Sequence, residues 1–115
     1  MKVEVDTQYR VGDGTKFTAE ISIHEDYDPI WDTWCRIEFI RFIFNCKKQT
    51  LTVMDFDRYD GRPQWKMVFD ISLITNNTYK DFVVSIISNR TENLIDASKF
   101  LDMCLEEYTK LKENL

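Results

Sequence analysis

The chain has 115 residues, 43% of them hydrophobic and 14% aromatic, with 20 acidic side chains against 15 basic ones. That length predicts one domain spanning 1–115, and that composition a globular rather than a disordered one. The net charge of −5 argues against direct nucleic-acid binding or attraction to anionic membranes. No apolar run approaches the ~20 residues of a membrane span.

The first residues, MKVEVDTQYR, alternate charged and apolar positions and lack the apolar centre of a signal peptide, so a soluble, cytoplasmic protein is expected. Val3, Val5, Tyr9 and Val11 alternate with Lys2, Glu4, Asp6 and Arg10, and Phe17, Ala19, Ile21 and Ile23 alternate with Lys16, Thr18, Glu20 and His24. Both patterns have the period of half-buried strands. A three-residue loop, Gly12-Asp13-Gly14, keeps the two apolar sets on one face. It sets Tyr9 opposite Phe17, Val5 opposite Ile21, Asp6 opposite Glu20 and Arg10 opposite Lys16, with Gly14 in the left-handed region.

HEDYDPIWDTW, from His24 to Trp34, gathers the only histidine, four carboxylates, a tyrosine and two of the three tryptophans. Asp28-Pro29 reads as a helix cap and first position, so a single helical turn is expected to bridge two strands. One of Trp31 and Trp34 is expected to pack into the sheet edge and the other to be partly exposed, framed by Tyr27 and carboxylates. Next, CRIEFIRFIFN (Cys35 to Asn45) starts in alternation and becomes apolar at nearly every position. That predicts a central strand covered on both faces, or one with a bulge near Ile40. Lys47-Lys48-Gln49 turns into a second hairpin, centred on a type I′ turn at Asp60-Gly61. In that register Phe56 meets Trp65, Asp55 meets Lys66, Met54 meets Met67 and Val53 meets Val68. Met54, Phe56, Trp65, Met67 and Phe69 then share the apolar face, and Asp55, Asp57, Tyr59, Arg62, Gln64 and Lys66 the polar one.

The C-terminal third changes period. Tyr79, Phe82, Val83, Ile86 and Ile87 form a helical stripe capped by Thr78, although the β-branched content leaves a sixth strand open. Leu94, Ala97, Leu101, Cys104, Tyr108, Leu111 and Leu115 step by three and four, predicting a long final helix with Thr91 as its cap. Phe100 and Met103 lie off that seam and are expected to be exposed, as a partner or dimer face beside Glu107. The fold class is therefore α+β: an antiparallel five- (or six-) stranded meander sheet with one or two C-terminal helices packed on one face.

The chemistry is sparse. One histidine supports neither a nucleophilic triad nor an ordinary zinc site, and no cofactor or metal is implied. Cys35, Cys46 and Cys104 show no C-x-x-C spacing and read as reduced, mostly buried thiols. DFDRYDG (Asp55 to Gly61) has the wrong spacing for a calcium loop, and with three glycines in all there is little to cradle a phosphate. An enzyme is not expected. The sequence points by elimination to a protein-binding module, a stoichiometric inhibitor, immunity or anti-defence type of protein such as phages and mobile elements carry. Its anchors would be Tyr27, Trp31 and Trp34, with Asp26, Asp28 and Asp32 steering it onto a larger, basic protein surface. A self-assembling subunit (a homodimer) and a nucleic-acid mimic are the alternatives.

Overall fold

The computed structural model describes residues 1–11, 14–57 and 63–114, with side chains described for all of these but 7–11, 35, 36, 56, 57 and 64. Five strands, β1 (Lys2–Val11), β2 (Lys16–Asp28), β3 (Thr33–Asn45), β4 (Thr50–Asp57) and β5 (Pro63–Asp70), form one antiparallel meander in the order β1-β2-β3-β4-β5. Three helices follow: α1 (Ile71–Thr75), α2 (Lys80–Thr91) and α3 (Ala97–Glu113). None is long and apolar enough to cross a membrane.

The core lies between the helices and one face of the sheet. Phe17, Ala19, Ile21 and Ile23 of β2, Ile40, Phe42 and Phe44 of β3, and Leu51 and Val53 of β4 meet Ile71, Ile74, Val83, Ile87, Leu101, Cys104 and Tyr108. The parity of each strand sets this face, because successive side chains point to opposite sides. Phe42 packs edge-on against Phe100, their ring centres 5.2 Å apart. Phe100 is therefore only 5% exposed, contrary to the expectation for the outer side of the last helix, while Met103 is 40% exposed. The ridge of α3 is wider than its three-and-four seam, so a residue one step off the seam still reaches the sheet.

Helix ends differ from the sequence expectation for local reasons. Region 79–89 is helical, not a sixth strand, and α2 starts after Tyr79 without a side-chain cap from Thr78. Thr91 does not cap α3 but ends α2, its hydroxyl donating 2.7 Å to the Ile87 carbonyl. Glu92 and Asn93, both with positive φ, break the helix there. The true cap of α3 is Asp96, which accepts from the Lys99 amide at 3.0 Å. Leu94 consequently lies in the connection, and Leu115 lies outside the described residues.

The first hairpin keeps the expected register, with Val5↔Ile21 and Asp6↔Glu20. A shift between Gln8 and Val11 then places Val11, not Arg10, across from Lys16. Gly14 has φ +84, the left-handed conformation that glycine adopts without strain. Gly12, Asp13 and the Tyr9 side chain lie outside the described residues. β3 carries no bulge at Ile40: its pairing with β2 runs from Lys16↔Asn45 to Asp28↔Thr33 without a register shift. Among the described residues the core cluster takes β3 side chains from one face only, while Ile37, Phe39 and Ile43 on the other are half-buried.

From Thr50 to Asp55 the second hairpin is displaced by one residue from the expected register: Asp55 faces Trp65, Met54 faces Lys66 and Val53 faces Met67, and a further shift between Asp55 and Phe56 sets Phe56 across from Pro63 rather than Trp65. A one-residue slip exchanges the faces of a strand. Leu51 and Val53 occupy the core face, so Met54 is turned outward and Asp55, 2% exposed, is turned inward. The Asp60-Gly61 turn, with Tyr59 and Arg62, lies outside the described residues.

Arg90 of α2 makes the inward carboxylate possible. Its guanidinium forks onto Asp55, Nη1 donating to Oδ2 and Nη2 to Oδ1 at 3.3 Å, and Nη2 also donates to Glu38 of β3. This is the planar two-point match that arginine makes with carboxylates. The cluster closes the core where Ile40 gives way to Glu38 along β3. Buried Cys104 is a packing residue, its thiol pushed up to about 12 by burial and by the Glu107 charge. Arg90→Ala should cost about 3 kcal/mol in denaturant unfolding, the low end for stranding a buried charge, because Arg90 is itself 28% exposed. Arg90→Lys should recover only part of that, and a cost near zero for Arg90→Ala would show that the cluster does not hold α2 to the sheet.

Candidate functional site

The stretch from His24 to Trp34 forms no helical turn but is the far end of the β2–β3 hairpin. β2 runs on to Asp28, β3 starts at Thr33, and only residues 29–32 turn the chain. Asp28 does accept a backbone hydrogen bond, from the Ile30 amide at 2.9 Å, but the motif is a two-residue side-chain turn and no helix follows. Asp32, with φ 48, and Asp26, with φ 58, adopt the left-handed conformation that aspartate tolerates better than most residues. At about 3.3 Å per residue, the 13-residue strands β2 and β3 reach roughly 43 Å, which accounts for the 50 Å long axis of the molecule.

Beyond Lys2↔His24 the described residues show β2 and β3 paired only with each other, as a two-stranded arm. Tyr27 and Trp34 face each other across it, ring centres 5.1 Å apart, and His24 stands edge-on to Trp34 at 6.2 Å. The Tyr27 hydroxyl donates to the Asp32 carboxylate, which stiffens the turn and raises the tyrosine pKa by stabilising its protonated form. His24 Nε2 lies 3.6 Å from Glu4, an ion-pair distance when the ring is protonated.

At the tip the apolar groups are open to solvent. Ile30 is 85% exposed and Trp31 76%, Tyr27 is about half exposed, and Trp34 is half-buried. Trp34 is thus the tryptophan that packs, against the arm itself, and Trp31 is the one presented to solvent. Asp26 and Asp32 are exposed and Asp28 half-buried, and no lysine or arginine occurs between His24 and Cys35. Six of the residues singled out from the sequence therefore come together: Tyr27, Trp31, Trp34, Asp26, Asp28 and Asp32. Phe100 and Met103 do not join them; they line a separate groove of about 520 Å³ between α3 and β1, with Val5 and Ile95. The sequence reading missed Ile30, whose signal was its place between Pro29 and Trp31 in a turn too short to bury it.

Among the described residues no three His, Cys, Asp or Glu side chains converge as a metal site. The tip offers instead a small apolar surface ringed by fixed negative charge. No protein family matches the chain, and no curated protein or solved structure does either. Removing Trp31 (Trp31→Ala) should change the unfolding free energy by less than about 0.5 kcal/mol, as for other unsupported surface side chains. Trp34→Ala should cost about 1–2 kcal/mol through its two ring contacts. Acrylamide quenching of tryptophan emission should fall more in Trp31→Ala than in Trp34→Ala; the reverse order in both measurements would put Trp31 in the core.

Proposed function

We propose that this chain is a protein-binding module that docks onto a larger protein through the tip of the β2–β3 hairpin. The observation that carries this reading is the exposure of Ile30 and Trp31, 85% and 76%, on an arm that projects beyond the helix-covered core. A large aromatic beside an aliphatic side chain, surrounded by polar groups, is the composition of a binding hot spot: it gains contact area on docking at little cost in ordering. Tyr27 and Trp34 support the turn from below. Asp26, Asp28 and Asp32 surround it with negative charge, which suits a basic surface and speeds encounter at low salt. A protein of this kind acts by occupying its target, and a stoichiometric inhibitor or immunity-type blocker is the role we assign.

The test compares affinity capture from host extract by wild type and by Ile30→Ser/Trp31→Ser, whose fold circular dichroism should show to be intact. Two central hot-spot residues at about 2 kcal/mol each predict a loss of affinity of at least a hundredfold for the captured partner. Asp26→Asn/Asp28→Asn/Asp32→Asn should slow association and flatten its salt dependence, with less effect on dissociation. A partner retained at full affinity by the Ile30/Trp31 variant would move the interface elsewhere.

A further inference from the structure

The outer face of the sheet, the one turned away from the helices, has an ordered chemistry of its own. Registers on all five strands place Asp6, Glu20, Arg41, Met54 and Lys66 directly opposite one another in a single row across it. The next row runs Gln8, Thr18, Ile43, Thr52 and Val68. The charge along the first row is graded: acids on β1 and β2, a guanidinium at the centre, an ammonium on β5. Apolar side chains fill the middle of the face. Ile37, Phe39 and Ile43 of β3 and Met54 of β4 are half-buried, and Val68 of β5 is 58% exposed. The solvated side of an antiparallel sheet ordinarily alternates to polar residues, and β3 does not. Ile43, Met54 and Val68 floor a shallow groove of about 350 Å³ whose rim carries Lys48 and Lys66.

We propose that a second copy of this chain covers this face, related to the first by a two-fold axis running along β3. That axis lays β1 of one copy over β5 of the other and leaves β3 over β3. Asp6 then meets the partner's Lys66 twice, once on each side of the axis. Thr18 lies over the partner's Thr52, and Ile37, Phe39 and Ile43 lie on their own equivalents, as a self-complementary interface requires. Arg41 also approaches the partner's Arg41, but each is held by its own Glu20, with Nε at 3.1 Å and Nη2 at 3.0 Å from Oε2, so two neutral pairs meet rather than two cations. The opposite choice of axis, across the strands, would stack like-charged ends of the row on each other. Five strands about 4.8 Å apart, paired over about eight residues, offer roughly 600 Å² per copy, so about 1,200 Å² in all, the lower bound for a stable specific interface. Face-to-face sheets about 10 Å apart are an established packing for such surfaces. Because the axis runs along the strands, both hairpin tips project from the same end of the pair. A dimer would then be bivalent for its target; that consequence rests on the docking role proposed above, whereas the dimer itself does not.

The test is the molar mass of the full chain by sedimentation equilibrium across a wide concentration range. We expect a reversible species of twice the chain mass, weakened roughly tenfold or more by Lys66→Glu and by Val68→Glu, both exposed positions whose replacement leaves the core untouched. The double charge swap Asp6→Lys/Lys66→Glu should restore it, while Ile30→Ser/Trp31→Ser at the hairpin tip should leave it unchanged. A monomer at every concentration would overturn the proposal, as would a dimer indifferent to Lys66→Glu and Val68→Glu, which would point to pairing at a sheet edge. A swap that fails to restore the dimer would overturn the two-fold arrangement.

Discussion

The pairing of β2 with β3 is the constraint on which everything else in the molecule depends. It runs from Lys16↔Asn45 to Asp28↔Thr33 in one register, whereas β4 and β5 are eight residues each. At one end this pair is the middle of a five-stranded sheet and lays Phe17, Ala19, Ile21, Ile40, Phe42 and Phe44 under the helices. At the other end, past Lys2↔His24, it is a two-stranded arm among the described residues. A bare hairpin of this kind is marginal in water. Here it is braced by the Tyr27–Trp34 contact, by His24 against Trp34 and by the Tyr27–Asp32 hydrogen bond. One continuous ladder thus yields both a core and a projection from it.

The boundary between the two is electrostatic. Along the inner face of β3 the apolar series ends at Ile40 and the next inward side chain is Glu38; across from Ile40 on β4 stands Asp55. Two carboxylates at the edge of a core would destabilise it if left alone. Arg90, near the end of α2, reaches both and converts the edge into a fixed junction between helix and sheet. The gain is chiefly one of geometry: desolvation offsets much of the attraction in such a cluster, but the arginine ties α2 to β3 and β4 at once.

Much of the architecture was legible in the sequence because periodicity reports which face of an element is buried. The strand alternation of residues 2–24 and the three-and-four steps of Ala97, Leu101, Cys104, Tyr108 and Leu111 led to the meander and to α3. Two failures have physical causes. In β4 the segment Thr50 to Asp57 is apolar on both parities, with Leu51 and Val53 against Met54 and Phe56, so its pattern did not select a face. The favourable look of Asp60-Gly61 then decided the register wrongly by one residue. Only a long-range partner, Arg90, 35 positions away, reveals that Asp55 belongs inside. At the tip, the clustering of aromatics and acids was visible, but whether a helical turn or a tight hairpin joined the strands was not. That depends on whether β2 and β3 stay paired as far as Asp28 and Thr33, a cooperative property that no short window displays. Ile30 was passed over because it is an ordinary residue whose meaning comes from where the turn places it.

The central claim is that the arm beyond the Arg90 cluster contributes almost nothing to the fold and is therefore available to a partner. The most direct measurement is the unfolding free energy of a shortened chain in which Tyr27–Trp34 is replaced by Asn-Gly, a favoured two-residue hairpin turn that keeps Glu25 opposite Arg36. The account predicts a cooperative transition within about 2 kcal/mol of the full chain, the loss being that of the local Trp34 contacts, since only exposed or locally packed side chains are removed. A loss of 3 kcal/mol or more, on the order expected when large aromatic residues are taken from a core, would contradict it and return HEDYDPIWDTW to the interior of the protein.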